Sequence, residues 1–279
     1  MNFSIITPSF RNSRWLKLCI ASVADQQGVT FEHIVQDSCS DDGTQDWLPQ
    51  DRRVQAFIEK DKGMYDAVNR GFKRAQGDIV AYLNCDEQYL PGALKAVKDY
   101  FDQHPEVEAV FADTLVVDPA GKYLCHRKSL LPRPHHIWVR FSNLTCAIFL
   151  KREALEKRGL YFDTQWRDLG DVYWVMEMIN RGARLAVLDH FTSVFYETGD
   201  NMNLKPNAVR ERQVKAENTP RWIKRTWSVL LFLHRLRMIK RGAFFQRPFD
   251  FSLYTPASPD KRVSQHVAKP TALWPGRRE

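Results

Sequence analysis

Glu32-His33-Ile34-Val35-Gln36-Asp37 runs directly into Ser38-Cys39-Ser40-Asp41-Asp42-Gly43-Thr44. The first six residues read as a strand that closes on a carboxylate. The next seven are a polar turn. Alone, the turn reads in two ways: Asp41 or Asp42 caps a following helix, or the strand-end acid faces a ligand. The flanks decide the fold. Upstream, Phe3 to Thr7 is a β-rich run, and Arg14 to Gln26 carries Trp15, Leu18, Cys19, Ser22 and Val23 at helical spacing. Downstream, Val54 to Glu59 reads as a strand. Met64, Ala67, Val68, Gly71, Phe72 and Ala75 mark a helix that Gly77 stops. Asp78 to Leu83 is an apolar run of the kind buried on both faces. A helix from Pro91-Gly92 to about Gln103 and a strand from Val107 to Phe111 follow. This β-α-β-β-α-β-α-β order predicts an α/β fold with an open, mostly parallel sheet and helices on both sides. Ligands in such sheets bind beyond the carboxyl ends of the strands. Thr7-Pro8, Asp37 and Asn84-Cys85-Asp86 are therefore expected to converge on one crevice.

The second half is more mixed. Asp118-Pro119-Ala120-Gly121 predicts a hairpin turn between strands at Thr114–Val117 and Lys122–His126. Thr145 to Leu150 reads as a strand and Arg152 to Arg158 as a short helix. Val172, Val175, Met176 and Ile179 share one face of a helix from Asp171 to Arg181. Leu185–Leu188 and Thr192–Tyr196 read as two short strands, and Pro206 to Asn218 as a helix. His135-His136 falls on a Pro-flanked loop. Pro248, Pro256, Pro259, Pro270 and Pro275 predict an irregular tail.

Composition narrows the classes. With 279 residues, 44% of them apolar, the chain is long enough for a sizeable core, which excludes wholesale disorder. No uncharged apolar stretch reaches the ~18 residues of a membrane span. Met1 to Pro8 lacks a basic start and a long apolar run, so it does not read as a secretory signal. The five cysteines form no Cys-x-x-Cys pair, which argues against structural zinc or a disulfide framework and for a reducing, cytosolic compartment. The formal net charge is +8, and the segment 221–247 holds eight cations (Arg221, Lys224, Arg225, Arg235, Arg237, Lys240, Arg241 and Arg247) and no acid. The whole excess sits there, so a diffuse nucleic-acid-binding surface is not expected.

Further motifs fall in order with the first. Ile5-Ile6-Thr7-Pro8-Ser9-Phe10 precedes the quoted turn. Asp61-Lys62-Gly63-Met64-Tyr65-Asp66-Ala67-Val68-Asn69-Arg70-Gly71, Ala75-Gln76-Gly77-Asp78 and Leu83-Asn84-Cys85-Asp86-Glu87 follow it. The series resembles family 2 glycosyltransferases. Their patterns are Thr-Pro-x-(Tyr/Phe/His)-Asn, Asp-x-x-Ser-x-Asp-Gly-Thr, Asp-x-Gly-Ile-Tyr-Asp-Ala-Met-Asn-x-Gly and Leu-Asn-Ser-Asp-Asp. The resemblance is specific across residues 3–95, looser from Phe111 to about Tyr196, and faint beyond.

It implies the GT-A fold: a Rossmann-like nucleotide-sugar-binding half (1–112), a mixed acceptor-binding half of the same domain (113–219), and a C-terminal extension with a basic helix and a Pro-rich tail (220–279). The implied activity is inverting transfer of a sugar from a nucleotide-diphosphate donor, a UDP-sugar, to an acceptor hydroxyl. The implied acceptor is a saccharide or a lipid-linked chain in polysaccharide or glycolipid synthesis. Asp37 would hydrogen-bond the uracil or ribose, and Thr7, Pro8 and Phe10 would wall the base. Asp61 would line the same pocket or serve as a surface turn residue. Asp66 and Asn69 read either as site residues or as a helix cap and a packing contact.

Asn84-Cys85-Asp86 stands where the family has its Asp-x-Asp motif, with Asp86 as the ligand of Mg²⁺ or Mn²⁺. Asn84 replaces the first acid, Cys85 is a small buried filler, and Glu87 replaces a following Asp. Trp166-Arg167-Asp168-Leu169-Gly170-Asp171-Val172-Tyr173-Trp174 resembles the segment that carries the base, which makes Asp171 the general base and Asp168 its competitor. As a plain helix-start charge, Asp171 would need no catalytic role. His190 is a candidate at the metal or diphosphate, against an ordinary structural histidine. Lys62, Arg70 and Arg133 are candidates at phosphate, against plain surface solvation.

Two other classes stay open. Asn84 leaves room for a non-catalytic nucleotide-sugar-binding or scaffold protein on the same fold. A sugar-1-phosphate nucleotidyltransferase would need a Gly-rich basic loop near the first strand, which is missing. Trp227-Ser228-Val229-Leu230-Leu231-Phe232-Leu233 is apolar nearly all round and flanked by Arg and Lys. It reads as an in-plane helix on an anionic membrane surface, aided by Trp222 and Trp227, or as a helix docked on the core or on a second copy.

Overall fold

Phe3, Ile5 and Ile6 have no solvent exposure and point alternately to the two faces of one strand. Phe3 and Ile5 join one apolar cluster and Ile6 another, so this strand lies between two layers. The computed structural model describes residues 1–198 and 206–275. The N-terminal half contains β1 (Asn2–Ser9), α1 (Ser13–Ala24), β2 (Thr30–Asp37), α2 (Thr44–Trp47), β3 (Gln55–Ile58), α3 (Met64–Arg74), β4 (Ile79–Tyr82), β5 (Glu87–Tyr89) and α4 (Ala93–Gln103). After it come β6 (Ala109–Val117), β7 (Tyr123–Arg127), α5 (Pro134–Val139), β8 (Ile148–Lys151), α6 (Arg152–Arg158), α7 (Gly170–Asn180), β9 (Leu185–Tyr196) and α8 (Pro206–Asn218). The extension holds α9 (Arg221–Arg225), α10 (Trp227–Lys240), β10 (Phe249–Thr255) and β11 (Ser258–Val267).

Among the described residues nine strands form one sheet, in the order β3-β2-β1-β4-β8-β6-β9-β5, with β7 on β6. From β3 to β4 every pairing is parallel. Beyond β4 the sheet is mixed: β8 is antiparallel to both neighbours, while β6 and β9 run parallel. Residues of α1 and α4 pack with Phe3, Ile5, Ile79 and Ala81 on one face. Residues of α3, α6 and α7 pack with Ile6, Val80 and Tyr82 on the other. The expected α/β sheet with helices on both sides is what the chain forms. The 112/113 division falls inside β6, so both halves share one continuous sheet.

Four expectations change. The strands at Val107–Phe111 and Thr114–Val117 are one element, β6, and Leu185–Leu188 and Thr192–Tyr196 are one element, β9. The polar Asp113 and Asp189-His190 look like breaks, but the two strands shift register side by side there and continue. Thr145–Ala147 is a 3₁₀ turn, and the strand begins only at Ile148. Residues 134–139, including His135 and His136, are helical, with Pro134 in the first turn, where its missing N–H costs nothing.

The tail is not irregular. β10 and β11 form an antiparallel hairpin laid across α1 and β5. Gln88 donates to the Tyr254 carbonyl (2.8 Å) and accepts from its N–H (2.9 Å), while Arg262 and the Tyr254 hydroxyl both bond Asp25. The prolines flank this two-stranded ribbon or lie in its turn, apart from Pro259 on its edge, where no ladder donor is lost.

Candidate active site

The loops after β1, β2 and β4 are stitched together. Ser9 lies opposite Asp37 in the parallel register, and the Ser38 N–H donates to the Ser9 carbonyl at 2.9 Å. The Arg11 N–H donates to Ser40 Oγ at 2.8 Å, and Asn12 Nδ2 to Cys85 Sγ at 3.2 Å. The Asp61 N–H reaches Ser38 Oγ at 3.4 Å, which adds the loop after β3. These bonds hold the polar strand ends together at the carboxyl edge of the parallel strands, where ligands bind in sheets of this kind.

The individual side chains are used differently. Phe10 is 48% exposed, with the Arg11 guanidinium 5.0 Å and the Lys60 ammonium 5.1 Å from its ring centre. Its ring is half exposed, with both cations lying over it. Thr7 is fully buried and turns Oγ1 onto His33 Nε2 at 2.8 Å, so it supports the strand rather than the crevice wall. Pro8 is buried in β1. Asp37 is fully buried, and its carboxylate accepts the Ser40 N–H (2.8 Å) and Ser40 Oγ–H (2.6 Å), which shapes the turn. Asp41 pairs with Arg11 through two bonds of 2.6 and 2.7 Å, and Asp42 accepts the Ser13 N–H at the start of α1. Asp61 is half-buried and accepts the Gly63 N–H at 2.8 Å.

Asp66 accepts from the Lys62 N–H and pairs with Arg70, so it caps α3, and Arg70 is also engaged by Glu59. Asn69 bonds both ways with the Phe162 backbone, at 2.8 and 2.9 Å. Both residues are structural, and Asn69 pins the segment that leads to Asp171. Lys62 and Arg133 are exposed.

Asp86 is half-buried beyond β4, and burial raises its pKa above the ordinary carboxylate range. Among the described residues no basic side chain pairs with it. Glu87 is not available to help: it is buried, accepts the Asn84 N–H at 2.8 Å, and is pushed up to about 8 by burial and by the Asp86 charge. Cys85 is buried, and burial raises its thiol pKa well above the usual range, so the filler role fits. His190 lies exposed on β9 beside Asp189, which is tied to Lys128 and Arg241. No group of three or more His, Cys, Asp or Glu side chains among the described residues suits a metal ion. At this end of the strands the described residues supply one oxygen donor without a basic partner, Asp86, which fits a hard divalent cation only if other ligands, such as a diphosphate and water, complete its shell.

Asp171 opens α7 on the other side of β4. Its N–H donates to Tyr65 Oη at 3.2 Å, an approach that Gly170 permits, since a Cβ there would overlap the Tyr65 ring. Burial raises the Asp171 carboxyl to about 6, against the Val172 N–H (2.8 Å) and the charge of Lys215, which favour the ionised form. Asp168 is held by Asn207 Nδ2 at 2.7 Å. Tyr82 joins the two acidic ends: burial drives its phenol far up, and the charges of both Asp171 and Glu87, the neighbour of Asp86, add to this.

Glu211 of α8 is the residue that sequence reasoning missed. It is buried and accepts the N–H groups of Arg167 (2.8 Å), Asp168 (3.0 Å) and Leu169 (2.8 Å). These donors precede the first turn of α7, where a side-chain cap is absent. No local pattern links position 211 to position 168. Lys215, one turn on, donates to the Ile137 carbonyl at 2.9 Å, and burial lowers it to about 8. A cleft of about 510 Å³ opens between this loop and α8, lined by Gln165, Trp166, Arg167, Asn207, Arg210 and Glu211 among others.

Comparison with known proteins identifies the family and the fold. Residues 4–157 match the model for glycosyl transferase family 2. Over 97 residues the chain is 37% identical to a teichuronic acid biosynthesis glycosyltransferase, TuaG, of Bacillus subtilis, covering 33% of this chain and 38% of that protein. The chain therefore spans well under two thirds of that relative's length. Among solved structures it resembles S. aureus TarS 1-349 in complex with UDP-GlcNAc (TM-score 0.60, 17% identity, 86% of this chain and 73% of that one). It also resembles the mannosyltransferase PcManGT of Pyrobaculum calidifontis in complex with GDP-Man and Mn²⁺ (TM-score 0.55, 18% identity, 84% and 75%). These two likenesses are of fold, and that fold is GT-A. The family-model match covers more than half of the sequence and contains every strand end that borders the crevice: the chain belongs to glycosyl transferase family 2.

Proposed function

We propose that the chain is an inverting glycosyltransferase that moves a sugar from a nucleotide-diphosphate donor, a UDP-sugar, to the hydroxyl of a saccharide or lipid-linked acceptor at the cytoplasmic face of a membrane. One observation carries the reading. Two acids that burial makes reluctant to ionise, Asp86 and Asp171, flank the end of β4 and lack an ion-pair partner among the described residues. A buried acid of this kind is poised for chemistry with an incoming cation or proton.

The residues divide the work. Phe10 offers its exposed ring to the base, with Lys60 and Arg11 beside it, and the Asp37–Ser40 turn and Asp61 shape the same pocket. Asp86 would hold Mg²⁺ or Mn²⁺ together with the donor diphosphate, and the metal would neutralise the departing nucleotide. Asn84 and Cys85 shape that end of the pocket. Asp171, ionised above about pH 6, takes the acceptor proton from the opposite side as the oxygen attacks the anomeric carbon. Attack opposite the leaving group inverts that centre. The complexes of TarS with UDP-GlcNAc and of PcManGT with GDP-Man and Mn²⁺ support the donor class and the metal.

The test is donor turnover by the purified chain across UDP-, GDP- and TDP-sugars, with and without Mn²⁺. Asp171→Asn should retain UDP binding and lose turnover by roughly 10²-fold or more. Asp86→Asn should lose the Mn²⁺-dependent part of UDP binding. Unchanged turnover in Asp171→Asn rejects the base, and metal-independent UDP binding by the unsubstituted chain rejects the role of Asp86.

A further inference from the structure

The basic segment that the sequence sets apart is apolar on two opposite sides, and only one is used. Leu230, His234 and Met238 of α10, one turn apart, are buried against the body of the protein. Val229, Phe232, Leu233, Leu236 and Ile239 recur at three- and four-residue spacing on the opposite side and are all exposed. At the two ends of the helix, Trp222 of α9 is 55% exposed and Phe245 is 72% exposed, with Phe244 and Trp227 also open. Soluble surfaces rarely carry so large a contiguous apolar patch without a partner.

The surrounding charge indicates which partner. No acid occurs from Arg221 to Arg247. Arg221, Arg225, Lys240 and Arg247 make no ion pair among the described residues. Among the remaining cations, Arg241 pairs with Asp113 and Asp189, Arg237 bonds the Leu131 carbonyl, and Lys224 bonds the Glu217 carbonyl. An apolar stripe rimmed by free cations matches a surface with hydrocarbon beneath anionic headgroups. A protein partner of the same chain would bring like charge against like charge, which disfavours a second copy. No helix of the described residues is long and apolar enough to cross a membrane, so the match is to a surface and not to a span.

We propose that the outward face of α9–α10 and the Phe244–Phe245 turn seats this protein on an anionic lipid bilayer. The fold adds a direction. α10 packs on α5, α5 packs on α7, and Asp171 lies in the first turn of α7. The proposal therefore includes an orientation, with the side of the molecule that carries the proposed base turned toward the bilayer. This orientation rests on the glycosyl-transfer reading; the docking itself does not.

The experiment is flotation of the full chain with vesicles of phosphatidylcholine alone and of phosphatidylcholine with about one third phosphatidylglycerol. The chain should float with the anionic vesicles and stay behind with the neutral ones. The triple variant Phe232→Ser, Leu236→Ser, Phe245→Ser should lose at least tenfold in partitioning with its thermal midpoint and UDP binding unchanged, because all three side chains are exposed. The variant Arg221→Gln, Arg225→Gln, Lys240→Gln should lose a similar amount and keep its fold. No flotation of the unsubstituted chain, or equal flotation of the apolar variant, overturns the proposal. So does a concentration-dependent dimer that the apolar variant abolishes, since a second copy then owns the face. Vesicle binding is read without turnover, so a chain that floats and transfers no sugar refutes the activity alone.

Discussion

Asp168 and Asp171 are three residues apart, and their surroundings separate them. Asp168 is tied to Asn207, while Asp171 sits deeper and is raised to about 6. Asp171 must be ionised to act as the proposed base, so kcat/KM should be level above pH 6 and fall about tenfold per pH unit below it, as measured in a pH–rate profile. An acid limb centred near pH 4 would point to a less buried carboxylate. Gly170 makes a second residue-scale prediction. A methyl at that position strikes the Tyr65 ring, so Gly170→Ala should shift the first turn of α7. The expected cost is about 1–3 kcal/mol in denaturant unfolding, with kcat reduced and donor affinity kept. At this scale the sequence is informative wherever a residue sits in a local motif: Asp86, Asp171 and Phe10 are proposed site residues because of the motifs that carry them. It was silent about orientation. Thr7 and Asp37 lie at the expected strand ends, yet both side chains are consumed internally, by His33 and by Ser40.

α7 depends on α8 for its start. Glu211 takes three N–H groups that would otherwise face no acceptor. Glu211→Ala should cost about 2–3 kcal/mol, since each buried unpaired donor is expensive, and should lower turnover more than donor binding. Isothermal titration with UDP beside a turnover assay separates the two.

The contact of α5 with α10 predicts acid sensitivity. His136 and His234 lie 5.8 Å apart between these helices, with Nδ1 of His136 and both ring nitrogens of His234 unbonded. Burial first, then Arg237, Arg133 and Arg140 around them, lowers both to about 4. A histidine depressed below its unfolded value of ~6.5 lends stability that is complete above pH 6.5 and is lost as pH falls towards 4. The melting temperature should drop between pH 7 and pH 5, and His234→Leu should flatten that drop. Helices and parallel strands were legible at this scale because periodicity is local. β6 and β9 were split in the reading because a polar residue in mid-strand looks like a break until its partners are seen: Ser129 and Arg241 satisfy the buried Asp113, and Lys128 and Arg241 pair with the exposed Asp189.

For the whole molecule, the C-terminal hairpin closes the structure over the N-terminal half. Arg262 bonds Asp25 and the carbonyls of Ser252 and Tyr89, and so clamps β10–β11 to α1 and β5. Arg262→Ala should cost about 2–3 kcal/mol in urea unfolding, below the full cost of breaking a buried pair because Asp25 is partly exposed. By itself the sequence determined the order of strands and helices from β1 to α4, the family, and the segments that carry the acids, because each of these is set by residues within a turn or two of one another. Tertiary structure alone decided which acids stay free, which residue holds the base loop, and which side of α10 is left bare. Those outcomes depend on groups brought together from 40 to more than 200 positions apart, where burial and hydrogen-bond partners are properties of the packed chain and not of any segment in it.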